Sequence, residues 1–263
     1  MTKLNGNVLI TGAGGGIGAA IARELAPKAS SITLSARRAD QVEELAGELG
    51  AQVLSADLEQ RDQVAALAVA AANTDVAIMN AALPASGDLL DYEVEQIDRA
   101  LEVNLRAPLV LSRLLAEQMA SRGGGHIVFI SSLAGKAASA GSALYSATKF
   151  GLRGGAISMR ADWADRNVGV SVVCPGFVSD AGMFAESGAR LPKGIKTVTP
   201  EQVAEAVVGA VEKNRLEVDV APIPLKLGAS FAVVAPAAWE ALNRRTGGNN
   251  LSDKMAESQK HKR

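Results

Sequence analysis

The chain has 263 residues, 48% of them hydrophobic, 21% charged and only 3% aromatic, with a formal net charge of −1. This composition supplies aliphatic material for a large core; it excludes intrinsic disorder, a disulfide-built scaffold and a broad electrostatic footprint for nucleic acid. The single cysteine, Cys174, rules out an intramolecular disulfide and suits a reducing compartment. The opening MTKLNGNVLITG runs straight into a strand-like segment without a small-residue cleavage site, so it does not read as a signal peptide. The longest apolar stretch, near Leu227 to Ala238, is shorter than the roughly 20 residues that span a bilayer. A cytoplasmic, globular protein is expected.

In chain order, short runs of Val, Ile and Leu alternate with longer segments of helical period. Strands are predicted at Asn7 to Ile10, Ser31 to Leu34, Gln52 to Leu54, Val76 to Met79, His126 to Ile130, Gly169 to Val173 and Glu217 to Val220. They lack in–out alternation, as strands buried on both faces do. Helices are predicted at Gly16 to Leu25, Ala39 to Leu49, Gln60 to Ala72, Val94 to Met119 and Leu144 to Trp163. Another follows Thr199-Pro200-Glu201, with Thr199 as cap and Pro200 in the first turn. Repeated β-α-β units imply a doubly wound parallel α/β sheet with helices on both faces, in a single domain over residues 1–225. Residues 226–263 form an apolar extension and a basic tail, with Lys254, Lys260, Lys262 and Arg263 read as a solvated terminus.

The first predicted strand ends in Thr11-Gly12-Ala13-Gly14-Gly15-Gly16-Ile17-Gly18, and a helix begins at once. Glycines there permit a tight turn and let backbone amides approach a pyrophosphate at the helix N-terminus, the Rossmann-type arrangement. The run satisfies TGxxxGxG through Gly12, Gly16 and Gly18, and TGxxGxxG through Gly12, Gly15 and Gly18. The second strand ends in Ala36-Arg37-Arg38, where NAD-binding folds of this type carry an acid for the ribose 2′-hydroxyl. With no carboxylate before Asp40, Arg37 and Arg38 favour a 2′-phosphate, and therefore NADP(H) over NAD(H). Asp57, followed by Leu58, is placed to accept from an adenine amino group or to cap the next helix.

Tyr145 and Lys149 stand four residues apart at the start of a predicted helix, so the phenol and the ammonium share a face. A fixed cation favours the phenolate and brings a phenol of pKa roughly 10 toward the working range of an acid/base. Thirteen positions before Tyr145, Ser132 lies just beyond the end of the fifth strand, at the carboxyl edge where α/β sites form.

Together these residues resemble the short-chain dehydrogenases/reductases, in the shorter subfamily of about 250 residues. TGAGGGIG resembles the family's cofactor loop, Met79-Asn80-Ala81-Ala82 a variant of its Asn-Asn-Ala-Gly segment, and Val103-Asn104-Leu105 the segment of its catalytic asparagine. Subfamily length selects TGxxxGxG. The resemblance implies a carbonyl–alcohol oxidoreductase acting by hydride transfer, with a catalytic set of Asn104, Ser132, Tyr145 and Lys149. In it Tyr145 exchanges the proton, and Lys149 binds the nicotinamide ribose and lowers the Tyr145 pKa. Ser132 stabilises the substrate oxygen, and Asn104 holds a water that relays protons. The implied cofactor contacts are Gly12, Gly15, Gly16, Ile17, Gly18, Arg37, Arg38, Asp57, Leu58, Asn80, Ala81, Tyr145, Lys149, Pro175, Gly176 and Val178. Where the family commonly has a threonine for the nicotinamide amide this chain has Asp180, so Ser179 or Asp180 is the expected substitute. The stretch from Asp180 to Lys196 falls at the family's substrate loop, with Met183, Phe184 and Leu191 as pocket candidates.

The partner implied is a small carbonyl or alcohol substrate. A homotetramer or homodimer is implied through the helices near 105–119 and 145–163, where Gly151, Gly154 and Gly155 would let helices approach. Neither nucleic acid nor a metal is expected, because His126 reads as structural and His261 lies in the tail. For residues 222–242 three explanations stand: a lid over an apolar substrate, a subunit contact, or a helix at a membrane surface, the first two preferred. Alternative functions are a cofactor-binding regulator without turnover, which the intact four-residue set argues against, and a non-redox epimerase or dehydratase.

Overall fold

The aliphatic runs become seven parallel strands in a computed structural model that describes residues 4–188, 191, 195–246 and 257–258. They are β1 (Asn7–Thr11), β2 (Ser31–Ala36), β3 (Gln52–Ser55), β4 (Val76–Met79), β5 (Gly125–Ile130), β6 (Val168–Pro175) and β7 (Glu217–Val220). Their spatial order is β3-β2-β1-β4-β5-β6-β7, with β4, β5 and β6 almost wholly buried. Order reverses between β1 and β4, and a crevice opens there at the carboxyl ends of the strands.

Ten helices among the described residues cover both faces. They are α1 (Gly16–Leu25), α2 (Glu43–Leu49), α3 (Arg61–Ala70), α4 (Val94–Leu101), α5 (Ala107–Ser121), α6 (Ala143–Asp162), α7 (Gly182–Glu186), α8 (Pro200–Glu212), α9 (Ile223–Val234) and α10 (Pro236–Thr246). One apolar layer joins Val8, Ile10, Ile21, Val128 and Val207; the other joins Leu9, Leu111, Ile127, Phe129 and Val172. Adjacent residues of one strand thus enter opposite cores, the physical reason these strands lack alternation.

Local signals operate as read at α8. Thr199 Oγ1 accepts the Gln202 N–H at 3.3 Å, Gln202 Oε1 accepts the Thr199 N–H at 3.0 Å, and Pro200 occupies the first turn.

Four expectations are corrected. The helix predicted from Val94 to Met119 is α4 and α5 joined by a π-helical turn at Glu102–Arg106. Pro108 has no N–H to give the Asn104 carbonyl, so the α-helical ladder is interrupted there. Asp57 does not cap α3: Gln60 holds that position, and Asp57 Oδ1 instead accepts the Glu59 N–H at 3.1 Å. A boundary after residue 225 would cut α9 near its start. Gly151 and Gly155 are used inside the chain, facing Leu105 and Leu109, whereas Gly154 faces open space. Lys254, Lys260, His261, Lys262 and Arg263 lie outside the described residues.

Candidate active site

The crevice at the switch point is a cleft of about 1300 Å³, above the roughly 300–1,000 Å³ of a pocket for one small ligand. One end is walled by the glycine turn. Gly12 has φ +67°, and a Cβ there would lie 2.6 Å from the Ala81 Cα. A Cβ on Gly18 would meet the Gly12 carbonyl oxygen at 2.5 Å, and one on Gly16 would meet the Ala181 Cβ at 2.4 Å. At Gly15 the nearest atom is 3.6 Å away, an ordinary contact. The residues that must be glycine are therefore 12, 16 and 18, the TGxxxGxG choice.

Asn80 braces this turn. Its Nδ2 donates to the carbonyls of Thr11 (3.1 Å) and Gly12 (3.0 Å), while Thr11 Oγ1 accepts the Asn80 N–H (3.1 Å). Met79 is buried in the core and Ala82 lines the cleft. Gly12, Gly15–Gly18, Arg37, Asp57, Leu58, Asn80, Ala81 and Ala82 line one continuous wall. Arg38 does not line it; its guanidinium lies 3.8 Å from Asp40 at the surface. The turn's open glycine face, free of side chains, and a cation and a carboxylate farther along fit a dinucleotide.

The other wall carries the reactive groups. Ser132 follows β5, and its Oγ accepts the Ala134 N–H at 3.1 Å and donates to the Pro175 carbonyl at 3.4 Å. Tyr145 and Lys149 come from the first turns of α6, and Tyr145 shares the cleft wall with Ser132. Lys149 Nζ sits 5.6 Å from the centroid of the Tyr145 ring and donates to the Ile130 carbonyl at 3.0 Å. The helix is pinned from below, where Ser131 Oγ donates to the Lys149 carbonyl at 2.9 Å. A Cβ on Gly135 would lie 2.7 Å from that same oxygen.

Burial governs the protonation states. It pushes the Tyr145 phenol above its ordinary value, against the lowering effect of Ser132. Burial also pulls the Lys149 ammonium down to about 8. The expected lowering of Tyr145 by Lys149 is not what shifts the phenol: desolvation raises it, and Ser132 supplies the opposing effect. Cys174, also buried, has its thiol pushed up to about 12 by desolvation and is no nucleophile at neutral pH.

Asn104 points its side chain away from a water-holding role: Oδ1 accepts the Leu83 N–H (2.6 Å) and Nδ2 donates to the Leu83 carbonyl (2.9 Å). The group that Pro108 releases there is the Asn104 main-chain carbonyl. Pro175, Gly176 and Val178 line the cleft after β6, with Val178 also bridged to Val198. Ser179 spends its hydroxyl on the Val198 carbonyl, and Asp180 has φ +60°; neither lines the cleft, which Ala181 reaches instead. Met183, Phe184 and Leu191 do line it. The sequence reading missed Gln41, Arg99 and Asn243, which also line it and carry no local motif, whereas Leu225, Ala229 and Trp239 reach it from the 222–242 segment expected as a lid or a subunit contact. Among the described residues no cluster of His, Cys, Asp and Glu could hold a metal, and no helix is long and apolar enough to cross a membrane.

A glycine turn at the switch point facing a Ser–Tyr–Lys cluster across one cleft defines a dinucleotide-dependent oxidoreductase. Residues 6–191 match the family model described as short chain dehydrogenase, and the chain belongs to the short-chain dehydrogenase/reductase family. It is similar to "Ketoacyl reductase HetN" of Nostoc sp., 34% identical across 98% of this chain and 95% of that one. It is also similar to "Nodulation protein G" of Rhizobium sp., 37% identical over 69% of this chain and 77% of the relative. Among solved structures, a short-chain dehydrogenase from Sphingobium yanoikuyae in complex with NADPH matches with a TM-score of 0.75 and 26% identity. That match covers 88% of this chain and 93% of the other. The protein is an NAD(P)-dependent oxidoreductase.

Proposed function

We propose that the protein is an NADP(H)-preferring reductase that converts a small carbonyl compound to its alcohol, with Tyr145 as the acid. The observation that carries this reading is the convergence of Ser132, Tyr145 and Lys149 in one cleft beside the glycine turn. When bound, NADPH supplies the hydride to the carbonyl carbon and leaves as NADP+. Ser132 and Tyr145 hold the carbonyl oxygen, and Tyr145 gives its proton to that oxygen, completing the alcohol. The Lys149 ammonium stabilises the phenolate left behind, and the Asn104 carbonyl is the acceptor for a water that returns the proton from solvent. Arg37, with no acid before Asp40, favours the 2′-phosphate. The curated relative named for ketoacyl reduction and the NADPH-bound solved relative support the same direction and cofactor.

Tyr145→Phe tests the assignment: NADPH oxidation by ketones is expected to fall by about 10³-fold or more while NADPH still binds. Near-normal turnover with the phenyl ring would remove Tyr145 from the mechanism. With Lys149 near 8, kcat/KM for NADPH should be level at neutral pH and decline about tenfold per pH unit above 8 as the ammonium is lost. A profile flat to pH 10 would deny that role.

The outer face of α6 presents Phe150 and Ile157 to solvent with Gly154 between them, which favours a homodimer or homotetramer built there. Light scattering of Gly154→Arg against the wild type tests it, a monomer being the expected result.

A further inference from the structure

We propose that Glu217 is a positioning residue for the reaction: one carboxylate on β7 holds the turn that carries Ser132 and the helix that carries Tyr145 in fixed register, through Lys136 and Arg153. The inference rests on the reductase reading and deepens it by naming the part of the chain that aligns the reactive groups.

The last strand turns carboxylates where its neighbours turn apolar side chains. Glu217 and Asp219 of β7 lie beside Val172 and Cys174 of β6, two members of the apolar layer that includes Leu152 and Ala156 of α6. Val218 and Val220, which alternate with them, join the opposite layer. On the α6 side β4, β5 and β6 contribute Met79, Phe129 and Val170.

Two cations meet this acidic face, each from an element of the active site. Lys136 is only 5% exposed; its Nζ donates to both Asp219 oxygens, at 2.7 and 2.8 Å, and lies 2.5 Å from Glu217 Oε1. Arg153 Nε donates to the other oxygen of Glu217, Oε2, at 2.5 Å. Tyr145, Lys149 and Arg153 recur every four residues along α6, so Arg153 continues the stripe that carries the phenol and the ammonium. Lys136 closes the turn that Ser132 opens. The Gly135 N–H donates to the Ser132 carbonyl, and the Lys136 and Ala137 N–H groups donate to the Leu133 carbonyl, each at 2.9 Å. A shift of Lys136 is therefore passed to Ser132 by a hydrogen-bonded turn.

Packing alone does not account for four charges here. Desolvating them is costly, and apolar side chains of similar volume hold layers together as well or better. What the charges add is direction, since each Glu217 oxygen takes the cation of a different element. Ser131 Oγ on the Lys149 carbonyl ties turn to helix on the chain before Ser132, and the Glu217 bridge ties them after it. Two ties fix an orientation, whereas one leaves a hinge.

The test follows hydride transfer in single turnovers, with NADPH and a ketone that the wild type reduces, in double-mutant cycles with Ser132→Ala. Lys136→Met and Glu217→Gln should each slow the step by about 10–100-fold, the scale of a misplacement of about 1 Å, while NADPH affinity stays unchanged. In the Ser132→Ala background the same substitutions should change the rate by less than about twofold, because no hydroxyl is left to misplace. Equal losses in both backgrounds would reduce the cluster to a prop of the fold and overturn the proposal, as would full-rate transfer in Glu217→Gln. Hydrogen exchange supplies a readout without turnover. The amides of Ala134 to Ala137 should exchange about tenfold faster in Glu217→Gln, with Leu9 and Ile10 of β1 unchanged. If no ketone oxidises NADPH, the reductase reading falls; faster exchange confined to that turn then upholds the bridge, and unchanged exchange overturns it. If Lys136→Met fails to fold, Arg153→Met takes its place in the cycle with the same expected collapse.

Discussion

Acidification should loosen β5 through a single side chain, His126. The ring is 1% exposed, its Nε2 lies 2.8 Å from Ser171 Oγ on β6, and a Cβ on Gly169 would fall 2.4 Å from its Nδ1. Burial, helped by the Arg160 charge, pulls its pKa from 6.5 to about 4. The folded state holds the ring neutral, while the unfolded chain binds a proton below 6.5. Stability from this group is therefore complete above pH 6.5 and is lost as pH falls toward 4. Integrating between those two values gives a loss of about 2 kcal/mol from pH 7 to pH 5, and about 3 by pH 4. Glu217 does not confuse the upper part of this window. Burial would raise its carboxyl, but hydrogen bonds from Arg153 and Lys136 hold it below 4.5, so it is lost only at lower pH. Because β5 leads into Ser132, activity should decline with stability. Urea unfolding followed by circular dichroism at pH 7 and pH 5 measures the effect, with His126→Gln as the comparison. The variant should be less stable at pH 7 but lose under about 0.5 kcal/mol between the two pH values. A wild type insensitive over this range, or a variant that loses as much as the wild type, would refute the reasoning.

Three further outcomes follow from the geometry. Gly15→Ala should leave NADPH affinity within about threefold, whereas Gly16→Ala, whose methyl would sit 2.4 Å from the Ala181 Cβ, should weaken it by about tenfold or more; fluorescence titration compares them. Arg37→Leu should raise the KM for NADPH by about 10–100-fold, the loss of a charged hydrogen bond, and leave NADH nearly unchanged. Equal effects on both cofactors would separate Arg37 from the 2′-phosphate. Glu217 bridges Lys136 at 2.5 Å and Arg153 at 2.5 Å, so Glu217→Gln should cost about 2 kcal/mol in chemical unfolding. It should also lower kcat more than KM, because Lys136 anchors the Ser132 turn and Arg153 lies one helical turn beyond Lys149.

Much of the architecture is written in local pattern. Runs such as Val76–Met79 are apolar without alternation because both faces are covered, and that pattern together with the β-α-β rhythm is enough to call for a parallel, doubly wound sheet. The Tyr145–Lys149 spacing places two side chains on one helical face before any packing is known. Spacing along the chain was silent on what other elements do to those groups. Desolvation pushes the Tyr145 phenol up, and Ser132, which is remote in sequence, opposes it. Pro108 was visible, but the π turn between α4 and α5 and the clasp of the Asn104 side chain on the Leu83 backbone depend on a contact between segments far apart in the chain. Arg37 and Arg38 are neighbours with the same chemistry, and only the backbone direction after β2 sends one to the cleft and the other to Asp40.

By itself, then, the sequence determined the sheet, the glycine turn and the identity of the reactive groups, since each depends on residues close together in the chain and on backbone periodicity. Tertiary structure alone decided which side chains of the 222–242 segment, Leu225, Ala229 and Trp239, reach the cleft of Ser132 across some hundred residues of intervening chain. Desolvation and cavity shape are properties of surfaces contributed by several elements at once, and no stretch of sequence carries them.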